Sequence, residues 1–128
     1  ASHAMMLSLS VQTKGEAIDL SGLVQGADAV DERVPHGQTL AHFAEAVISG
    51  SDSELAKARE AVIAAVGGDG FVDAACVVGN FERMVRVADA TGIPLDAEAV
   101  DATIELRESL GLNSYGMAAR TLENQGKP

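Results

Sequence analysis

Apolar residues recur at helical spacing from Phe71 to Thr91, which is the longest such pattern in the chain. At about 100° per residue, the apolar side chains fall on one arc that is roughly 120° wide. This apolar arc consists of Ala74, Val77, Val78, Phe81, Met84, Val85 and Ala88. Gly92 and Pro94 follow, and glycine and proline commonly end helices. The pattern therefore predicts one long central helix, from about residue 70 to 91, whose apolar arc faces the protein core.

A second face of the same helix carries residues of mixed character at spacings of three and four. It consists of Asp73, Cys76, Asn80, Arg83 and Val87. One interpretation is a binding or catalytic strip formed by Cys76, Asn80 and Arg83. The other is a packing surface against a short helix or a symmetry-related copy of the chain. We favour the packing surface because the neighbouring Val72 and Gly79 suit close approach between helices.

Two further apolar patterns precede the long helix. The first predicts a helix over about residues 39–49 that ends at Gly50. Its expected core face is Leu40, Phe43, Ala44, Val47 and Ile48. The second begins with Ser51 and Glu54, which have the spacing of a capping box, and it ends at Gly67. Because short turns join these helices to the long one, we expect antiparallel neighbours.

Another helix is predicted after the long one. Asp96 is expected to cap its N-terminus and Leu95 to pack on Val100, and the pattern continues to Gly111. The charged residues of this stretch are expected on the solvent-exposed side of the helix. They are Glu98, Asp101, Glu105, Arg107 and Glu108. A last short helix is predicted to follow and to end near residue 124.

The chain before residue 35 has a weaker pattern. The opening ASHAM is typical of an expression tag, so residues 1–6 are interpreted as a tag remnant and the native start. Residues 7–34 are interpreted as an irregular N-terminal arm, in which LSLSVQT alternates like a short strand and at most one short helix follows around residues 20–32. Residues 35–128 form the helical domain. The predicted fold is a single all-α domain, a compact antiparallel helical bundle around the long helix.

Composition narrows the possible functions. The formal net charge is −10, which disfavours nucleic acid because its phosphates require clustered lysine and arginine, and it also disfavours anionic membranes. The sequence shows no uninterrupted apolar run of the ~20 residues that span a bilayer, and no signal-peptide pattern. The chain has one cysteine, so it forms no internal disulfide. The predicted setting is therefore the reducing cytoplasm.

The sequence lacks the motifs of common catalytic and metal sites. The single cysteine excludes a CxxC pair, and His36 and His42 do not have zinc-ligand spacing. We expect His42 and Glu45 to be ordinary surface neighbours. Cys76 is a candidate redox thiol, but Arg83 lies about two helical turns away, and a packing role is favoured. No catalytic residue, metal or cofactor is predicted.

The segment from residue 80 to 94, NFERMVRVADATGIP, resembles the C-terminal region of proteins in the alkylhydroperoxidase and carboxymuconolactone decarboxylase-like superfamily. The resemblance extends over about residues 40–96, under half of the chain. It implies an all-helical fold and self-association. Peroxidase members of that superfamily carry an acidic residue, a CxxC pair and a histidine on an upstream helix, and this chain has no CxxC pair. The resemblance therefore assigns no catalytic residue here.

These observations predict a non-catalytic helical protein that self-associates as a dimer or trimer, chiefly through the long helix. It would resemble a peroxidase-like domain without its active site. The alternative is a small-molecule-binding protein or a thiol-dependent redox enzyme of the same superfamily, with Cys76, Asn80 and Arg83 in its site. A third hypothesis is a helper chain for a separately encoded catalytic subunit.

Overall fold

The computed structural model describes residues 6, 10–11, 13–15, 19–93 and 97–115. Within these ranges the regular structure is helical, and no strand occurs in them. The α-helices are α1 (Gly22–Gln25), α2 (Gly37–Ser49), α3 (Asp52–Thr91), α4 (Ala97–Ala102) and α5 (Ile104–Ser109), with 3₁₀ helices at Ala27–Ala29 and Leu112–Ser114. The all-α fold class is confirmed, whereas the antiparallel bundle stays a prediction.

Several predictions concern residues outside these ranges. They include the interpretation of residues 1–5, the helix stop at Pro94, the cap and staple at Leu95 and Asp96, and the last helix beyond residue 115. Within the N-terminal arm, Ser10 and Val11 are described and have helical backbone. The strand-like interpretation of LSLSVQT is therefore wrong at these two positions.

The chain divides into two units by its internal contacts. The first unit is residues 21–85, which contain α1, α2 and most of α3. The second unit combines residues 1–20 with residues 86–128, and it contains the end of α3 together with α4 and α5.

In the first unit, the segment before α2 packs against that helix. Gly26 has a φ of 97°, which separates α1 from the following 3₁₀ helix and favours glycine. This stretch therefore forms two short helical pieces where the sequence predicted at most one. Ala27 of the 3₁₀ helix is buried, and so are Phe43 and Ala46 of α2. These side chains, with Val62 of α3, form the described core of the unit.

Helix α2 ends before Gly50 as predicted, but its packed side differs from the prediction. Phe43 is buried, whereas Val47 and Ile48 are 43% and 54% exposed. Ala46, which was not assigned to the core face, is buried instead. The reason is the long-range contact with the 3₁₀ helix at residues 27–29, which covers a side of α2 that apolar periodicity alone does not identify.

The capping box at the start of α3 is confirmed. The Glu54 amide donates to the Ser51 hydroxyl at 3.4 Å, and the Ser51 amide donates to the Glu54 carboxylate at 2.7 Å. The Ser51 hydroxyl also donates to this carboxylate at 2.7 Å. This reciprocal pair satisfies backbone groups that have no partner within the helix, which explains why α3 begins here.

The helix stop predicted at Gly67 is confirmed as a break in the helical backbone, because α3 consists of two helical segments that meet at a kink there. Gly67 has a φ of 79° and a ψ of 177°, which is not helical, while the neighbouring residues are helical. Beyond the kink, Phe71 meets Phe43 of α2 edge to face, with ring centroids 5.5 Å apart. The second segment of α3 thus contacts α2 at its beginning.

The prediction that the apolar arc faces the core is wrong for its larger side chains in the first unit. Val77, Phe81, Met84 and Val85 are exposed, whereas Ala74 and Val78 are half-buried. Helix α2 has 13 residues and is therefore about 20 Å long, while the segment of α3 from residue 68 to Thr91 is about 36 Å long. Because α2 is the shorter of the two and contacts α3 at Phe71, α2 does not extend along this part of the arc.

The C-terminal end of α3 follows its prediction. Gly92 has a φ of 64°, the left-handed conformation that glycine adopts after a helix. The amides of Gly92 and Ile93 both donate to the Ala88 carbonyl, at 2.9 and 3.3 Å. These bonds satisfy a carbonyl of the last turn and end the helix at Thr91.

In the second unit, the helix predicted up to Gly111 is broken at Thr103, which separates α4 from α5. The break changes the role of Arg107, which was expected in solvent but is only 8% exposed. Its Nη2 donates to the Val100 carbonyl at 2.8 Å, the acceptor that the Ile104 amide would use in an unbroken helix. Arg107 is therefore a structural residue of this unit.

The Arg107 side chain also makes polar contacts on either side of the break. Its Nε donates to the Thr103 hydroxyl at 3.0 Å, and its Nη1 donates to Asn113 Oδ1 at 2.8 Å. The Thr103 hydroxyl in turn donates to the Ala99 carbonyl at 2.6 Å, and Thr103 is fully buried. The guanidinium thus joins α4, α5 and the following 3₁₀ helix through neutral oxygen acceptors.

Candidate functional site

The three predicted site residues lie on the second segment of α3. The Arg83 Nη2 donates to Asn80 Oδ1 at 2.9 Å, so the structure brings these two side chains together. The Asn80 amide nitrogen lies 3.7 Å from the Met84 sulfur, a weak acceptor. Cys76 is a free, exposed thiol one helical turn before Asn80. The strip is therefore a polar edge beside the apolar arc.

The surroundings of this strip are open. Asn80 and Arg83 are exposed, as are Val72 and Asp73 at the start of the same side of the helix. A methyl group added at Gly79 would meet no atom within 4 Å. Among the residues that the structure describes, none packs closely at Gly79.

The strip has limited catalytic capacity. Helical geometry separates residues 76 and 83 by about 10 Å along the axis, and the Arg83 guanidinium is bonded to Asn80. A reactive thiolate requires a cation or a base close to the sulfur. Within the described ranges, no group of three or more His, Cys, Asp or Glu side chains is arranged to hold a metal ion. The arrangement of Cys76, Asn80 and Arg83 suits surface contact better than covalent chemistry.

A second polar cluster joins the 3₁₀ helix at residues 27–29 to α2. The His42 Nε2 lies 2.9 Å from Asp28 Oδ1, and its Nδ1 lies 3.7 Å from Glu45 Oε2. The other Glu45 oxygen accepts from the Ala27 amide at 2.9 Å. In addition, the Gln38 side chain donates to the Asp28 carbonyl at 3.2 Å. The cluster thus contains an imidazole between two carboxylates.

The sequence predicted His42 and Glu45 as surface residues, and both side chains are indeed about half exposed. Their contacts with residues 27 and 28 were missed because those positions lie 14 to 18 residues earlier in the chain. The only local signal is the spacing of three between His42 and Glu45 on one helix. Since Glu45 also bonds the Ala27 amide, we interpret the cluster as a clamp that fixes the 3₁₀ helix to α2.

Two surface cavities lie near this cluster. One, of about 300 Å³, is lined by His42, Glu45, Ala46, Ser49, Gly50 and Glu54. The other, of about 350 Å³, is lined by Asp31, Glu32, Val34, His36, Gly37, Gln38 and Thr39. Cys76, Asn80 and Arg83 line neither of them. The predicted site residues therefore do not coincide with either concave surface.

The Glu54 carboxylate at the edge of the first cavity has a pKa below its usual range. The main cause is the hydrogen bond from the Ser51 hydroxyl, followed by the bond from the Ser51 amide, and the charge of Lys57 adds to both. All three favour the charged form of the carboxyl group. Its role is therefore explained by the helix cap.

Helix α3 is long and apolar enough, by length and composition alone, to cross a membrane. Its apolar residues do not form an uninterrupted run of that length, because Gly67, Asp69 and Asp73 lie between them. The most apolar 18-residue window of this helix has a mean hydropathy of 1.8, and 6% of the window is buried within the chain. The non-helical backbone at Gly67 and the two carboxylates would be costly in hydrocarbon.

No protein-family model, curated protein or solved structure matches the chain. The resemblance of residues 80–94 to the alkylhydroperoxidase-like superfamily therefore stays a prediction.

Proposed function

We propose that this chain is a non-catalytic helical protein that self-associates through α3, so that two or three copies form a larger antiparallel helical bundle. One observation carries the proposal: four of the larger side chains on the apolar arc of α3 are exposed in the single chain. The exposed fractions are 56% for Val77, 43% for Phe81, 38% for Met84 and 48% for Val85. Contiguous apolar surface of this kind is typical of protein interfaces.

The energetics favour covering this arc. Fully burying a valine, phenylalanine or methionine side chain stabilises a protein by about 1.5–3 kcal/mol. Because these side chains are roughly half exposed, each would contribute on the order of 1 kcal/mol on association. Their neighbours on the polar edge, Asn80 and Arg83, would form the hydrated rim that surrounds the apolar centre of an interface. The proposed interface is therefore centred on the apolar arc, whereas the sequence favoured the neighbouring second face as the packing surface.

A thiol-dependent or small-molecule-binding enzyme is the less favoured function. Cys76 is exposed on a helix surface, and Asn80 and Arg83 bond to each other rather than converge on a ligand. Peroxide consumption that is abolished by Cys76→Ser would contradict the non-catalytic proposal. The exposed free thiol is compatible with the proposed cytoplasmic setting, where thiols are kept reduced.

The proposal is tested by placing a charge on the arc. Val77→Asp is expected to shift the protein from oligomer to monomer in sedimentation velocity, because the buried carboxylate would have no partner. Ala75→Asp is the matched control, since it adds the same charge on another side of α3, where Ala75 is exposed. An unchanged oligomer in Val77→Asp would contradict the proposed contact.

Two other occupants of the arc have distinct outcomes. A lipid surface would be indicated if the wild-type chain remained monomeric and floated with liposomes in a density gradient. A separately encoded partner subunit would be indicated if the chain remained monomeric alone and co-purified from its native host at a fixed ratio with another protein. Either result would contradict self-association.

A further inference from the structure

The exposed part of α3 has the seam of a two-stranded coiled coil. Its seam positions alternate spacings of four and three, which is the pattern by which two helices pack along a common line. They are Gly70, Ala74, Val77, Phe81 and Met84. Side-chain size increases along the seam, from glycine and alanine at its start to phenylalanine and methionine at its end. The seam is therefore not symmetric from one end to the other.

The two flanks of this seam differ in chemistry. One flank is polar and contains Asp73 and Asn80, and the Arg83 guanidinium is bonded to Asn80. The other flank is apolar and contains Phe71, Val78 and Val85. Asp73 is exposed, and so are both members of the Asn80–Arg83 pair. A negative charge thus lies near the start of the polar flank and a positive charge near its end.

We infer that a second copy of the chain packs antiparallel on this seam, about a two-fold axis near Val78. The inference rests on the proposed self-association and specifies its orientation. Antiparallel packing brings each flank against the same flank of the partner, whereas parallel packing brings each flank against the opposite one. With the axis near Val78, Asp73 lies level with the partner's Arg83, whose guanidinium is bonded to Asn80. Phe71 approaches the partner's Val85, which adds to the Phe43–Phe71 contact.

The parallel alternative is unfavourable on both flanks. It would place Asp73 and Asn80 against Val78 and Val85 of the other copy, and burying polar groups without partners destabilises an interface. Along the seam it would also place Phe81 against Phe81 and Ala74 against Ala74. Antiparallel packing instead matches Ala74 with the partner's Met84 and Val77 with the partner's Phe81. Large side chains then lie opposite smaller ones, which fills the interface evenly.

Disulfide trapping tests this orientation. Two full-length variants are made in a Cys76→Ser background, one carrying Ala74→Cys and the other Met84→Cys. Because a disulfide requires Cα atoms about 4.4–6.8 Å apart, only positions that face each other are trapped. Antiparallel packing predicts that each variant alone stays uncrosslinked under mild oxidation. An equimolar mixture is expected to yield the mixed disulfide, which intact-mass measurement identifies.

Each other outcome has a defined meaning. Homodisulfides of each variant alone, without the mixed species, would show parallel packing and overturn the inference, while self-association would stand. No disulfide from variants that sediment as dimers would likewise overturn this seam. Variants that keep the wild-type helical circular dichroism and sediment as monomers, as the wild-type chain then also does, would overturn the proposed function itself.

Discussion

Phe43 of α2 and Phe71 of α3 meet edge to face, with ring centroids 5.5 Å apart and planes inclined by 62°. Phe43 is 2% exposed, and Phe71 is half-buried. The pair fixes the second segment of α3 to α2 just beyond the kink at Gly67. It also marks a change along α3, since Val77 and Phe81 further on are exposed. The contact lies just before the part of α3 that is proposed to pack on a second copy.

Truncation of this pair is expected to destabilise the protein strongly. Phe43→Ala should lower the free energy of unfolding by about 3–5 kcal/mol, because it removes a buried aromatic side chain and its edge-to-face partner contact. Val47→Ala is the control on the same helix, and its effect should be within about 1 kcal/mol, since Val47 is 43% exposed. Urea denaturation at one fixed protein concentration measures both. Equal effects would contradict the described core.

The kink in α3 gives a test of backbone strain. Gly67 has a φ of 79° and a ψ of 177°, a region that residues with a side chain rarely adopt, and the space around it is open. Gly67→Ala should therefore cost about 1–3 kcal/mol of stability through the backbone alone. Gly68→Ala is the matched control, because its surroundings are equally open and it is expected to be neutral or stabilising by about 0.4–1 kcal/mol. Thermal unfolding distinguishes the two, and a harmless Gly67→Ala would mean that the kink is absent.

The capping box predicts a pH dependence. Because the bonds from Ser51 lower the pKa of Glu54 in the folded state, its contribution is fully present above the ordinary glutamate pKa of about 4.3. The contribution is lost as pH falls through the lowered pKa. Glu54→Gln should lower the melting temperature at pH 7 and remove this part of the acid-induced loss. If wild type and Glu54→Gln melt with a constant difference from pH 7 to pH 2, the cap carries no such linkage.

Arg107 provides a test in the second unit. Arg107→Ala removes three hydrogen bonds from a charged donor, to the Thr103 hydroxyl, Asn113 and the Val100 carbonyl. We expect a loss of at least about 2 kcal/mol, since bonds from charged groups contribute about 1.5–3 kcal/mol each and removal leaves buried acceptors unpaired. Arg107→Lys should recover only part of the loss, because lysine lacks the planar fork. Chemical denaturation monitored by circular dichroism measures both, and an unchanged Arg107→Ala would return this residue to the solvent-exposed role first predicted for it.

Local signals in the sequence predicted the local features of the fold. Ser51 and Glu54 have the spacing of a capping box, and both side chains form it. Gly50 and Gly92 directly follow α2 and α3, and the backbone of each is outside the helical conformation. These helix ends could be predicted from the sequence because a cap or a left-handed glycine involves only residues that are close together in the chain.

The missed features depend on contacts between distant residues. The pairing of His42 with Asp28 links positions 14 residues apart, and neither position carries a pattern that identifies the other. Arg107 was assigned to solvent because periodicity assumes an unbroken helix, and the break at Thr103 redirected its side chain. The exposure of Val77 and Phe81 was missed for a different reason. An apolar arc looks the same in sequence whether it packs within one chain or between two.

The most direct test of the account is the native mass of the freshly purified wild-type chain, measured across a range of concentrations. Self-association through α3 predicts an apo dimer or trimer of the 13.2 kDa chain that dissociates only on dilution, because exposed apolar surface drives the contact by mass action. A bound small molecule would add mass that is lost on denaturation, and this result would indicate a ligand-binding site. A monomer at every concentration, with no added mass, would contradict the central claim.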